Sequence, residues 1–256
     1  MKGTTEMKYY IDAQAWEGIY RNLRKEKGLH TKNEEKLRVF YEAIWYVART
    51  GCQWRFMPPY YGDWRSLHKR FLRWAKKGVW DRLLEKHQVD PDLESVMIDA
   101  TIVRAHACAA GYEKDSQKEQ ALGRCVGGFT SKINAMVDAL GNPLKFILSP
   151  GQSHESQVAL CLVEGIEGAN VLADKAYDDD KFVENLEQRD CKAVIPPRKN
   201  RNNPRDYDKD IYKERHLIEC FFGKIKYFRR IFSRFDKTAQ AYMGFLNIVA
   251  IDIWLR

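Results

Sequence analysis

The sequence predicts an α/β protein: a mixed five-stranded sheet with flanking helices, preceded by a small all-α domain of helix-turn-helix type. Three observations predict it. Residues 1–90 hold 19 Lys and Arg against 11 Asp and Glu, while residues 91–256 hold 24 of each, so the net charge of +8 sits entirely at the front. After the acidic, Pro-containing stretch 88–95 the hydrophobic period changes from helical to alternating. Beyond that stretch the runs order as three strands, a helix, a fourth strand, a helix, a fifth strand and long helices. The chain thus divides into a helical domain, 1–90, and an α/β domain, 91–256.

Composition narrows the function classes. Hydrophobic content of 45% and charged content of 30% describe a soluble globular protein. The longest apolar run, near Phe245 to Leu255, is too short to span a bilayer and contains Asn247 and Asp252, so no membrane partner is expected. Six cysteines with no C-x-x-C pair read as reduced thiols in the cytoplasm, and His106 with Cys108 is too small a set for zinc. A basic front suits a polyanionic partner, although it also serves solubility.

In the front domain a short helix is expected over Asp12 to Lys27. A second follows the N-cap Asn33, with Leu37, Phe40, Ile44 and Val47 on one face and Gly51 closing it. Asp63 opens a third helix. Trp64, Leu67, Phe71 and Trp74 line one side, and Arg65, Lys69, Arg73, Lys76 and Lys77 lie on the other or at its end. Gly78 ends it, and Val79 to His87 forms one more. An aromatic core with one strongly basic exposed face is the pattern of a module that tracks phosphates or enters a major groove.

In the second domain Val96 to Val103 is a strand by β-branched content, with Asp99 on one face beside Met97 and Thr101. The polar stretch Arg104 to Gly128 resists assignment. Within GRCVGGFTSK, Lys132 is a candidate contact to a backbone phosphate. Ile133 to Ala139 and Leu144 to Leu148 form a hairpin through Leu-Gly-Asn-Pro, and Glu155 to Ile166 is a helix. Asn170 to Asp174 is a short buried strand ending in a carboxylate. A helix over 180–188 and a strand over 192–196 follow. The basic loop RKNRNNPR, 198–205, is either filler or a nucleic-acid contact. The last helix, 238–256, is apolar nearly all round, so it is buried on more than one side.

The stretch 206–230 reads as one helix with two faces. Tyr212, Arg215, Glu219 and Lys226 project within roughly 60° of one another at about 100° per residue. Arg230 flanks them, and Gly223 leaves room for a close ligand. Leu217, Phe221, Ile225 and Phe228 form the greasy side. Alone, such a polar ladder is as consistent with a solvated face of charge pairs. A sheet order of 3-2-1-4-5 changes that, because it places Asp99 and Asp174 side by side with Glu219 of the long helix against them. Three convergent carboxylates repel unless a cation joins them, and oxygen-only ligands suit Mg²⁺ or Mn²⁺. Two such ions about 4 Å apart activate a water or 3′-hydroxyl at a phosphodiester and stabilise the leaving oxygen.

IDAT at 98–101, DKAYD at 174–178 and the Y-x2-R-x3-E-x6-K run at Tyr212, Arg215, Glu219 and Lys226 resemble the DDE transposases of bacterial insertion sequences with a Y-R-E-K signature. RTGCQWRFMPP and FLRWAKKGVW resemble that family's N-terminal region, so the likeness covers nearly the whole chain. It implies a ribonuclease H-like core in which Asp99, Asp174 and Glu219 bind two Mg²⁺ or Mn²⁺ ions. It also implies that Tyr212, Arg215 and Lys226 engage the transposon-end DNA. The motif elsewhere reads DKGYD, so Ala176 replaces a glycine, which is tolerated where φ is negative. The gap from Asp174 to Glu219 is 45 residues, too short for the extra domain some relatives insert there. The implied protein acts in the bacterial cytoplasm at the nucleoid. It binds double-stranded terminal repeats and target DNA, and pairs as a homodimer on two DNA ends. A nuclease that cuts without joining, and a DNA-binding regulator with relic carboxylates, are the rival readings.

Overall fold

A computed structural model describes residues 9–110 and 120–256, without the side chains of residues 156 and 157. The first eight residues of the front region, and 111–119 of the polar stretch, lie outside the described residues. Four helices open the chain: α1 (Ala13–Lys25), α2 (Glu34–Thr50), α3 (Trp64–Lys76) and α4 (Val79–His87). Their ends follow from local chemistry. The side chains of Asp12, Asn33 and Asp63 accept the backbone N–H of Ala15, Lys36 and Ser66, each such cap stabilising by about 1 kcal/mol. Gly51 and Gly78 take left-handed conformations, at φ 67° and 63°, where α2 ends and α4 begins.

The sheet follows. Strands β1 (Ser95–Ala105), β2 (Gly123–Cys125), β3 (Gly128–Val137) and β4 (Pro143–Pro150) precede helix α5 (Ser156–Leu162), strand β5 (Asn170–Leu172), helix α6 (Asp180–Glu187) and strand β6 (Lys192–Val194). The main path runs β4-β3-β1-β5-β6, antiparallel on one side of β1 and parallel on the other, which is the expected strand order. Two short pieces add to it. β2 pairs with the start of β3, and β7 (Ser233–Arg234) lies beside the end of β1. This is the ribonuclease H-like arrangement. Met97, Val103, Ile133, Ala135 and Leu172 face one core, while Val96, Ile98, Met136 and Val171 face a second core beneath α5 and α6. Helix α5 is shorter than expected. Beyond it Gly165 and Gly168 adopt positive φ, which stops the helix.

The signature segment is not one helix. Asp208 caps α7 (Lys209–Tyr212), a 3₁₀ turn covers Lys213–Arg215, and α8 runs His216–Lys226. The backbone then leaves the helix at Phe228, which is extended (φ −84°, ψ 107°), before the short α9 (Arg229–Phe232). The break lets Phe228 bury itself against Trp45 and Arg49 of α2.

Helix α10 (Ala239–Trp254) joins the front helices to the sheet. Phe245 stacks within an aromatic cluster built by α3 and α4, 4.5 Å from Phe71 between ring centres. Asn247 donates to Asp81 of α4 at 2.8 Å, and Trp254 donates to the Pro143 carbonyl of β4 at 2.8 Å. One continuous core therefore runs from α1 to β6. Gly244 permits the approach, since a Cβ there would stand 3.0 Å from Trp80 and 3.2 Å from Phe71. Gly244→Val is expected to destabilise the protein by about 1–3 kcal/mol through overpacking, read as a lower urea midpoint. An unchanged midpoint would mean this seam is loose.

Candidate active site

The site grows from the centre of the sheet. β1 and β5 pair in parallel with Ser95 opposite Asn170 and Met97 opposite Leu172. β5 stops there, and two places beyond the last pair Asp174 lies close enough to Asp99 for the two carboxylates to act on each other's charge. Asp174, two residues past the end of β5, caps a 3₁₀ turn, its Oδ1 accepting the Ala176 N–H at 2.8 Å. Ala176 lies outside the left-handed region, so an alanine fits where the family motif has glycine.

Glu219 is joined to Asp99 through a cation. Arg215 Nη1 donates to Asp99 Oδ2 and its Nη2 to Glu219 Oε1, both at 2.8 Å. The fork of one guanidinium thus ties the central strand to α8. Asp99 is 18% exposed and Arg215 17%, whereas Glu219 is 59% exposed. Burial pushes the Asp99 carboxyl above its ordinary pKa. The neighbouring Asp174 and Glu155 push the same way, against the Ala100 N–H and Arg215. Burial works against the Arg215 charge, but Asp99, Tyr212 and Glu219 outweigh it and hold its pKa up.

Among the described residues no three His, Cys, Asp or Glu side chains are already grouped as a metal site. The donor chemistry nonetheless fits a hard divalent ion. Asp99 offers oxygens from the central strand, Asp174 from the turn after β5 and Glu219 from α8, and a guanidinium now neutralises two of the three.

The remaining signature residues flank this point. Tyr212 packs edge-on to Tyr207 at 5.4 Å, with the Arg215 guanidinium 6.0 Å from its ring. Lys226 is half-buried at the end of α8. Gly223 is exposed, with open space where a Cβ would be.

Two expected DNA contacts are corrected. Lys132 is buried, and its ammonium donates to the Ser153 carbonyl at 2.8 Å and to Glu155 at 3.0 Å. Strand β3 begins earlier than expected, so Lys132 lies inside it. Opposite Ile102, it points to the other face of the sheet from Asp99. Arg230 is 6% exposed and forms a two-armed pair with Asp236, at 3.0 and 2.8 Å. The helix break at Phe228 turns it inward. Arg65, Lys69, Arg73, Lys76 and Lys77 are all exposed, as expected. Arg70, unremarked in the sequence, lies over Phe40 and Trp74 of the aromatic core, where burial lowers its pKa to about 10.

Sequence reasoning also missed a cleft of about 600 Å³ on the Asp174 side of the site. Lys132, His154, Glu155, Lys175, Arg198 and Lys199 line it with Asp174. The signal was the basic run 198–205, whose place beside DKAYD no local pattern reveals.

Comparison with known proteins shows the family. Residues 90–251 match the family "Transposase DDE domain", and residues 11–84 match "Putative transposase of IS4/5 family". A Brucella ovis protein named "Putative transposase for insertion sequence element IS6501" is 41% identical over 132 residues, covering 50% of this chain and 99% of that one. The "Transposase for insertion sequence element IS1106" of Neisseria meningitidis serogroup B is 26% identical over 125 residues, covering 46% of this chain and 41% of that one. A cryo-EM structure of the piggyBac transposase synaptic complex with hairpin DNA aligns at a TM-score of 0.43 and 13% identity, over 76% of this chain; this chain spans 50% of that one. With the DDE domain matched from the linker through α10, and the helical front matched separately, the chain belongs to the DDE transposases of bacterial insertion sequences.

Proposed function

We propose that Asp99, Asp174 and Glu219 form the centre at which this transposase cuts and joins DNA. The observation that carries the reading is the tie through Arg215, which brings a carboxylate of the central strand and one of α8 to a single cation. Two Mg²⁺ or Mn²⁺ ions, when bound by the three carboxylates, supply activation of the attacking oxygen and stabilisation of the leaving one.

The rest follows from the chain's own groups. Asp99 is held in a strand paired on both sides and Asp174 by the turn it caps just past β5, so they aim their oxygens with little reorganisation. In the first step a water oxygen bonds to phosphorus at the element's end and the 3′-oxygen leaves, taking a proton. In the second that 3′-hydroxyl attacks a target phosphodiester, giving up its proton, and the target's own 3′-oxygen leaves. Bonds made and broken balance without a nucleotide cofactor. In this reading Tyr212, Arg215 and Lys226, spread from the end of α7 to the end of α8, hold the terminal DNA near the cut.

The helical region 1–90 is proposed to grip double-stranded DNA through the exposed basic side of α3. Changing Arg65, Lys69, Arg73 and Lys76 together to Gln should flatten the slope of log affinity against log salt by about 3–4, at roughly 0.9 per lost phosphate contact. An unchanged slope would remove α3 from the interface. Two DNA ends call for two subunits in the active complex, and sedimentation with end DNA should show that pairing.

The experiment for the whole reading offers intact end DNA and pre-cleaved 3′-OH ends to the protein with Mg²⁺. Nicking of the first and joining of the second to target are expected. Nicking without joining would make it a nuclease, and binding with neither would make it a regulator.

A further inference from the structure

Asp178, four residues beyond Asp174, holds more partners than the chemistry above requires. It is 4% exposed. Its Oδ2 accepts the backbone N–H of Arg198 at 2.8 Å, and its Oδ1 accepts from Arg201 Nη1 at 2.8 Å and Arg205 Nη1 at 2.9 Å. The other arms of both guanidinium groups pair with Asp180. Arg198 returns the connection, donating to the carbonyls of Lys175 at 3.2 Å and Ala176 at 2.8 Å. Those carbonyls belong to the 3₁₀ turn that Asp174 caps.

The loop 198–205 needs this anchor. RKNRNNPR contains no residue that drives hydrophobic burial except its proline, and it carries four cations in eight positions. Its own charges repel, and an unanchored loop of this composition would be open to solvent. Charge-assisted hydrogen bonds to a buried carboxylate are the interactions that oppose this. The loop then forms one wall of the cleft into which Asp174 opens, and it sets exposed Lys199 beside exposed Lys175 on that wall.

We propose that Asp178 is a positioning residue, which pins the arginine loop against the Asp174 turn so that Lys175 and Lys199 grip the phosphates of the DNA strand beside the cut. Asp178 itself touches no DNA. It acts through Arg198, Arg201 and Arg205, and it fixes the distance between the strand grip and the cleaving carboxylates. This rests on the assignment of Asp174 to the cleavage centre.

The test compares the full-length protein with Asp178→Asn, with the paired change Arg201→Gln and Arg205→Gln, and with Lys199→Gln. Asp178→Asn keeps an oxygen for the Arg198 N–H but loses the charge. The arginine pair removes the same links from the loop side, at residues whose loss spares the core. Hydrogen exchange of the amides of 198–205 should rise about tenfold or more in both anchor variants, with β5 and α6 amides unchanged. The DNA concentration giving half-maximal single-turnover nicking should rise about five- to tenfold in both, with a smaller fall in the maximal rate. Lys199→Gln should raise that concentration without altering exchange. Unchanged loop exchange in the arginine pair would overturn the pinning. Raised exchange with an unchanged half-maximal concentration would overturn the link to DNA, and an equal loss of maximal rate alone would make Asp178 a fold residue only. Loop exchange is read without DNA or metal, so it stands apart from the cleavage assignment, which an active Glu219→Ala protein would remove.

Discussion

Glu219→Ala protein is expected to bind transposon-end DNA and fail to nick it, with a rate at least about 10³-fold below wild type. The side chain is 59% exposed, its ion pair among the described residues is with Arg215, and Arg215 keeps Asp99 when it is lost, so its removal should cost about 0–1 kcal/mol. The protein should therefore melt close to the wild-type temperature, which separates a chemical defect from a folding one. Asp99→Ala and Asp174→Ala should lose cleavage to the same degree. Asp99→Ala also deprives a largely buried Arg215 of one partner, so some loss of stability accompanies it. The measurement is gel-based nicking of labelled end DNA with Mg²⁺, beside a filter-binding curve. Wild-type nicking by Glu219→Ala would end the three-carboxylate assignment.

The second large effect is on stability. Arg230 and Asp236 are 6% and 7% exposed, and Arg230 also lies 5.3 Å from the ring centres of Phe235 and Phe245. Removing one partner leaves a charge buried without compensation. Asp236→Ala should therefore cost about 3–5 kcal/mol in urea unfolding. Exchanging both for apolar residues, Arg230→Met with Asp236→Leu, should recover most of that loss. DNA affinity of the folded double variant should match wild type. If Arg230→Met alone leaves the urea midpoint in place and weakens DNA binding, Arg230 belongs on the DNA face after all.

Much of this molecule is written in short-range pattern. The N-caps Asn33 and Asp63, the glycine stops at Gly51 and Gly78, and the β-branched run around Asp99 depend on neighbours within a turn or a strand. The juxtaposition of Asp99 and Asp174 follows once strand order is right, because parallel pairing leaves little freedom in register. The errors lie where a long-range partner decides. Arg230 continues the helical face of Lys226 on paper, but the burial of Phe228 against α2 breaks the helix and hands Arg230 to Asp236. Lys132 reads as a loop lysine after a glycine pair, yet β3 starts at Gly128 and alternation carries Lys132 to the face where Glu155 waits. The cluster around Asp178 joins residues 20 to 27 apart, and composition alone left the loop 198–205 as filler or contact.

Helix α10 has a mechanical consequence. Its one flank is wedged among the rings of the front helices and its other is fastened to β4, so the proposed DNA-gripping face and the proposed cleavage centre share a single chassis with one continuous core. Seating the basic helix on a duplex would therefore set the angle at which the scissile bond meets the carboxylates, as a jig sets a blade. The accuracy of the cut would come from the stiffness of the frame.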